Sequence, residues 1–508
     1  MSYHSSAADV EKTTSLASGD QSAAVDAASP DGKPNTAVDL AALANELGVD
    51  QKKLMWKIDV RLVPMLCILY LWAFLDRVNI SNAKLFSMVD DLNLTGNRYN
   101  TALTVFFVPY IIAEIPANIM MKKLRPHVWL SICMFFFGLT TTLMGLCQNY
   151  GSLIVCRLFL GFFEAGMFPG CFYLLAMWYV RPEAQKRYSF FFSSTTLAGA
   201  FGGLLASAIG LMDGKRGYHG WRWIFILEGI MTCIIGIALF FFIVDFPEEA
   251  KFLNANERTF IKAKLAVDVG ESHISRKITV RDVLKVFKDY KLYVVGFMYF
   301  GLIVPSYGYA YFAPTIISEF GYGKIQTQLH SVPPWVAACG LCMIAAFASD
   351  SLRHRFLFAV GLTLLAIVGF AMLLGIKDNT NAKYGALFLC ASGLYSAMPV
   401  VVCWCTTNFG GHLRRGVGSG WQVGFGNIGG IIATFSFLSK DAPRYIKGYS
   451  LAIAFAALSI IFDIIYFISI RRENQMRDRG IGLEAWEKLT DDDKYLAGDN
   501  SPFYRYSY

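Results

Sequence analysis

Seven ionisable residues fall inside long apolar stretches of this chain: Asp76, Arg77, Glu114, Arg157, Glu164, Glu228 and Asp463. Each costs about 2.5–3.5 kcal/mol near mid-bilayer on insertion scales, so such residues are kept for a purpose. Six of the seven belong to the first half of the chain, and the chemistry is expected there. Arg77 lies seven residues in from Lys84, and Arg157 eight residues in from Asn149. At a rise of about 1.5 Å per residue, both guanidinium groups stand ~10–12 Å below the outer ends of their helices. Glu164 follows Arg157 by two helical turns on the same face, about 10 Å deeper. The stretch "RLFLGFFEAG" (157–166) therefore draws one line of guanidinium, Gly161 and carboxylate, with Gly161 and Gly166 leaving room for a ligand or a helix.

A guanidinium stays charged at any working pH and grips a carboxylate in a planar fork, so Arg77 and Arg157 suit an anionic substrate. Carboxylates in low dielectric exchange protons near neutrality, so Asp76 and Glu164, with Glu114 in "YIIAEIPAN" (110–118) beside them, suit a coupling proton. A proton on Glu164 would free an arginine from its internal partner to take the substrate, and release would re-form the pair. The plainer alternative is that the charges satisfy one another, Arg77 with Asp76 and Arg157 with Glu164. Glu228 and Asp463, nearer to span ends, read as structural.

Other candidates are neutral. Asn79 lies in the same stretch as Asp76 and Arg77, and "YGYAYFAP" (307–314) puts Tyr307 and Tyr311 one turn apart. Trp404 and Asn427 complete the candidate lining, while Trp72, Trp335 and Trp421 read first as packing or interface residues. Gly420 with Gly424, and Gly426 with Gly430, are small-xxx-small pairs that predict close helix contact. The eleven cysteines are scattered and "CGLC" (339–342) has no second pair, so neither a metal site nor a redox frame is read. The seven histidines sit in loops or near span ends, which argues against a histidine proton relay.

The elements that must position these residues follow from composition. The 508 residues are 55% hydrophobic and 17% charged, against about 25% charged for a soluble chain. The excess is grouped into twelve stretches long enough to cross a bilayer: roughly 62–84, 99–121, 128–147, 152–178, 189–211 and 222–244, then 292–317, 329–349, 356–375, 384–407, 417–438 and 447–470. The reading is an all-α integral membrane protein: a tail (1–57), a six-helix bundle (58–246), a charged linker (247–290), a second six-helix bundle (291–471) and a polar tail (472–508). Basic clusters such as "KKLRPH" (122–127), "SLRHR" (351–355) and "HLRR" (412–415) fall on one side, so both termini are read as cytoplasmic. Basic residues follow the second span of each half, at Lys122, Lys123 and Arg125 and again beside Asp350 at Arg353 and Arg355. This echo supports duplication and marks Asp350, Arg353 and Arg355 as candidate gating residues. Two bundles with a site between them is the plan of secondary transporters.

The motifs "YLWAFLDRVNISNAK", "RLFLGFFEAGMFPG", "WRWIFILEG", "DFPEEAKFL" and "KDAPRYIKG" together resemble the anion:cation symporter family of the major facilitator superfamily. More narrowly they are similar to its fungal branch of allantoate, nicotinate and related vitamin permeases, over residues 55–480. The resemblance implies a twelve-helix, two-bundle fold and proton-coupled uptake of a small organic carboxylate, nicotinate first, across the plasma membrane. It also implies substrate and proton roles for Asp76, Arg77, Arg157 and Glu164. The loop after the second span lacks the acidic-arginine core of the superfamily's usual gating motif, whereas "ASDSLRHR" (348–355) keeps a version of it. Export of an acidic metabolite and a non-transporting nutrient sensor stay open as alternatives. No catalytic constellation, nucleotide loop or nucleic-acid feature is present, so an enzyme is not expected. The expected partners are the carboxylate, the proton as coupling ion with no other cofactor, and the lipid bilayer, with the protein a monomer. "NLT" (93–95) makes Asn93 a glycosylation acceptor by motif, close to the membrane.

Overall fold

The computed structural model describes residues 40–269, 280–352, 354–410, 412–490, 494 and 497–508. The first half runs through α1 (Gln51–Ala83), α2 (Arg98–Lys123), α3 (Pro126–Met144), α4 (Tyr150–Glu164), α5 (Met167–Trp178), α6 (Arg181–Gly210) and α7 (Gly220–Phe242). The linker carries α8 (Ala255–Val269) and α9 (Val280–Val286). The second half consists of α10 (Tyr290–Ser318), α11 (Lys324–Leu352), α12 (Arg355–Gly375), α13 (Thr380–Asn408), α14 (His412–Thr434) and α15 (Ile446–Asp478). Helices satisfy their own backbone groups, which lipid cannot do, and these sequences have the length for it. Ten of the described helical segments, counting α4 with α5 as one, have both the length and the apolarity to cross a membrane. The other two long helices, α2 and α14, stand at the second and eleventh positions of the series. They pack on each other across the two halves.

The helices pair alike in the two halves. In the first, α3 packs on α7, α1 on α6, α2 on α4, and α1 on α7. In the second, α12 packs on α15, α10 on α14, α11 on α13, and α10 on α15. Span by span these are the same pairings, which is the duplication the basic clusters suggested. The halves meet where α6 lies on α11 and α2 on α14, two contacts that the same internal symmetry exchanges. Glycine makes both seams close: a β-carbon on Gly199 would overlap the Trp335 ring, and one on Gly430 the Phe107 ring.

The fourth span is not one helix. Its start is fixed by a capping box, with Asn149 Oδ1 accepting from the Ser152 N–H at 2.9 Å while Ser152 Oγ lies 3.4 Å from the Asn149 N–H. It then breaks after Glu164, at Ala165–Gly166, before α5 resumes.

The chain's end also differs from the expected polar tail. The last span stays helical to Asp478, and residues 497–508 fold back over the mouth of the second half. The Ser507 carbonyl accepts from Trp404 Nε1 at 3.0 Å and Asn408 Nδ2 at 2.9 Å. The Asn474 amide pairs with both backbone groups of Tyr506, at 3.0 and 2.9 Å, and the Arg355 N–H donates to the Tyr508 carbonyl at 2.8 Å. Asp499, 2% exposed, accepts from Arg414 and from the Tyr506 hydroxyl at 2.9 Å. The linker is tied down as well, by Lys57 to Glu257 at 2.7 Å and Lys264 to Glu183 at 2.7 Å.

Candidate functional site

Consecutive residues on a helix point about 100° apart, so Asp76 and Arg77 cannot share a direction. Asp76 turns into its own half, where Oδ2 accepts from Thr232 Oγ1 at 2.7 Å, and among the described residues Oδ1 has no partner. Arg77 turns toward the seam. Its Nε donates to Glu164 Oε1 at 2.7 Å, its Nη2 donates to the same oxygen, and its Nη1 donates to the Tyr307 hydroxyl of the second half. Tyr307 in turn donates to Asn427 Oδ1 at 3.3 Å. One chain of hydrogen bonds thus runs from the fourth span through Arg77 to α10 and α14, all of it shut away from solvent.

The pairing also differs from the plainer alternative of Arg77 with Asp76 and Arg157 with Glu164. The reason is geometric: two helical turns separate Arg157 from Glu164 along the axis, whereas the long Arg77 side chain reaches from α1 to the carboxylate. Arg157, 1% exposed, gives only Nη1 to the Arg77 carbonyl at 3.4 Å. Its Nε and Nη2 have no partner among the described residues, and neither does Glu164 Oε2.

Aromatic rings surround the guanidinium of Arg77. Its central carbon lies 5.4 Å from the Phe106 ring, 5.5 Å from Tyr110, 5.7 Å from Tyr307 and 5.9 Å from Phe74. Tyr307 and Tyr311 stack with centroids 5.8 Å apart, and Phe107 sets its edge against both, at 5.1 and 6.4 Å. Phe106 and Tyr110 were not among the candidates. They recur at four-residue spacing with Glu114, which is a readable signal that α2 turns one face to the site.

Glu114 is 4% exposed and neither of its carboxylate oxygens has a partner among the described residues. It faces Gly424 across the α2–α14 seam, where a β-carbon would stand 3.4 Å from Oε2. Of the predicted glycine pairs, Gly426 abuts Tyr299 and Gly430 abuts Phe107, while Gly420 faces nothing within 4 Å.

Asn79 is turned away from the cluster, donating to Glu228 within the first half and accepting from Asn82 at 3.4 Å. Trp404 lies at the other end of its span, bound to the Ser507 carbonyl and packed on Tyr466 and Phe356 at 5.0 and 6.0 Å. Asp350 borders a recess between the halves with Lys186, Ser189 and Phe190, and Arg355 donates to Thr407 Oγ1 at 2.7 Å beside the docked chain end. Arg353 lies outside the described residues. Asn93 is exposed in a left-handed turn, φ +52°, on the loop between α1 and α2.

The comparisons with known proteins agree with this architecture. The model of the Major Facilitator Superfamily matches residues 66–434. The MFS-type transporter cnsO of Penicillium expansum is 33% identical over 473 residues, covering 90% of this chain and 91% of its own. The high-affinity nicotinic acid transporter of Saccharomyces cerevisiae is 30% identical over 462 residues, covering 90% of this chain and 85% of its own. Among solved structures, the inward-facing, unoccupied bacterial homolog of the human lysosomal transporter Spinster shares the fold with a TM-score of 0.60. That likeness spans 80% of this chain and 95% of the other at 13% identity. Two halves with matching helix pairings, a charged cluster at their seam and relatives matched almost end to end lead to one conclusion: the chain belongs to the Major Facilitator Superfamily of membrane transporters.

Proposed function

We propose that this transporter is a proton-coupled symporter that imports a small organic carboxylate, nicotinate first, across the plasma membrane. It acts as a monomer with both termini in the cytoplasm, and the proton is its coupling ion. The observation that carries the reading is the unequal state of two buried arginines. Arg77 is closed by Glu164, whereas Arg157 keeps Nε and Nη2 open.

An incoming carboxylate meets Arg157 before it competes with Glu164 for Arg77. Removing the partner of a buried charge costs roughly 3–5 kcal/mol, so the anion displaces Glu164 only when a proton neutralises that carboxylate. Proton and anion together leave the charge of the site unchanged, and neither alone does. The Glu164 oxygen without a partner offers a place for that proton. Tyr307, Tyr311 and Phe107 offer faces and edges to a flat ring, and the Asn427 amide, whose oxygen is taken by Tyr307, keeps its N–H groups for a ring nitrogen. Asp76 and Glu114 are further candidates for the proton, and Asp350, Arg353 and Arg355 for the inner gate. Similarity to the yeast nicotinic acid transporter favours nicotinate.

The test is uptake of labelled nicotinate at acidic external pH, with and without a protonophore, in fungal cells lacking their own carrier. Accumulation that the protonophore abolishes is the expected result. No uptake in cells with the protein at the surface discards nicotinate import. Release of preloaded acid in the same cells would instead favour export, and ligand binding without flux would favour a sensor.

A further inference from the structure

Outside the Arg77 cluster a second cation lies half-buried among rings at the outer end of the first span. Lys84 directs its ammonium at the ring of Tyr99, 4.7 Å away on α2, and at the ring of Phe312, 5.9 Å away on α10. Among the described residues no carboxylate pairs with it, and Glu319 acts on it only from beyond ion-pair distance. On the same ring, the Tyr99 hydroxyl is buried with no partner among the described residues, its residue 4% exposed. Tyr99 lies within electrostatic reach of Arg157, whose Nε and Nη2 are the open donors described above. Three uncommitted polar groups therefore descend from the outer rim to the site: an ammonium, a phenol and a guanidinium.

A buried donor without an acceptor is destabilising, and two such groups beside a cation held only by rings make a site short of an anion. The cap over Lys84 comes from the other half, because Phe312 belongs to α10 and packs on Phe437 with centroids 5.2 Å apart. The same rim is sealed between halves by Asn100 Nδ2 donating to the Thr434 carbonyl at 2.5 Å and by Thr104 against Thr434 at 2.6 Å. Parting the halves there withdraws Phe312, removes one cation–π contact and opens the ammonium to water and solutes.

We propose that Lys84, Tyr99 and Arg157 form an outer anion subsite, at which the carboxylate group of the substrate is captured by Lys84 and passed to Arg157 before it reaches Arg77. The proposal rests on the import reading above, which sets the direction from Lys84 inward. A carboxylate replaces the weaker ring contacts of Lys84 with a charge-assisted hydrogen bond. Arg157, with two open donors, then takes it at a deeper level.

The experiment is kinetics of labelled nicotinate uptake in carrier-deficient cells, normalised to surface protein, for wild type, Lys84→Gln, Lys84→Arg and Tyr99→Phe. Lys84→Gln is expected to raise KM about tenfold with the maximal rate nearly kept, as loss of a steering charge does. Lys84→Arg is expected to stay near wild type, and Tyr99→Phe to raise KM by a few-fold. Added external salt should raise the wild-type KM and leave that of Lys84→Gln unmoved. An unchanged KM in surface-expressed Lys84→Gln overturns the subsite, as does a loss of maximal rate at constant KM in both Lys84 variants, which marks a gate-packing role. If Lys84→Gln does not reach the surface, Tyr99→Phe decides, and a wild-type KM there overturns the proposal. A wild-type protein that takes up none of a panel of small carboxylates overturns the import reading itself, an outcome distinct from the others.

Discussion

Glu164→Gln separates binding from coupling. The substitution keeps the size of the side chain and an oxygen that can accept from Arg77, but removes the charge that closes the pair at 2.7 Å. It leaves a guanidinium that is 2% exposed without its counter-charge. Breaking a buried pair in this way costs roughly 3–5 kcal/mol, so the substrate-free protein should lose stability. A substrate carboxylate returns the missing charge. If it recovers even a third of that cost, about 1.4 kcal/mol, nicotinate binds the variant about tenfold more tightly than wild type. On the proposed mechanism wild-type binding takes up one proton per anion, so its affinity should fall as pH rises, by about tenfold per unit where Glu164 is ionised. The variant has no such proton to take up, and its affinity should be flat with pH. The assays are equilibrium binding of labelled nicotinate to purified full-length protein at acidic and alkaline pH, thermal unfolding with and without ligand, and net uptake against exchange in vesicles. Ligand at about a hundred times Kd should return roughly 2.7 kcal/mol to the variant. Exchange should persist while concentrative uptake is lost. A variant that still concentrates nicotinate, or whose affinity still falls with pH as wild type does, refutes the assignment of the coupling proton to Glu164.

Arg157→Lys keeps the charge but removes the fork, and should raise KM by at least about tenfold with little change in surface expression, read from uptake kinetics. Gly161→Ala puts a methyl group onto the Phe106 carbonyl, a backbone atom that cannot swing aside, and should destabilise the first half by about 1–3 kcal/mol in thermal unfolding of the purified protein. Asp499→Ala strips the docked chain end of the carboxylate that holds Arg414 and Tyr506; the expected result is a lower Tm with an unchanged KM for nicotinate. At the linker, burial pushes the Glu257 carboxyl up, but Lys57 and the Asn254 N–H outweigh it and hold it below the usual carboxylate range. Its folded pKa is depressed, so its contribution is full above the unfolded value and fades as pH falls through the folded one; limited proteolysis should cut the linker faster below the ordinary glutamate range than at neutral pH.

The parts of this architecture that were legible in the sequence are those written in composition and spacing. Apolar runs of bilayer length gave the spans, and rare charges inside them gave Arg77, Arg157 and Glu164, which the structure brings to one seam. What spacing along one helix could not supply was the partner on another. Arg157 and Glu164 share a face, yet the oxygen of Glu164 goes to Arg77, because helix-to-helix height decided the pair. Asn79 looked like a lining residue by proximity in sequence, but two steps on from Arg77 a helix has turned by about 200°, and its amide meets Glu228 instead. The chain end misled for another reason: polar residues next to a membrane read as solvated, and nothing local says that Asn408, Asn474 and Arg477 wait to bond their backbone.

The same geometry bears on how binding would move the halves. Of the two site arginines, Arg77 alone is bonded across the seam among the described residues, through Tyr307 and on to Asn427. On the proposed mechanism the substrate carboxylate occupies the fork that now serves Glu164 and Tyr307 together, so one ligand removes an intrabundle ion pair and a hydrogen bond between halves in a single exchange. The coupling this creates is reciprocal: the cost to the ligand of breaking the Tyr307 bond while the halves are joined is spared once they part, so ligand favours parting by as much as parting raises ligand affinity. Tyr307→Phe isolates that term, since it removes the hydroxyl and spares the ring against Phe107 and Tyr311. Binding should tighten by a few-fold while turnover becomes less dependent on occupancy, visible as faster exchange of the unloaded carrier and weaker accumulation. Unaltered accumulation and affinity in Tyr307→Phe would confine the link between ligand and motion to Glu164.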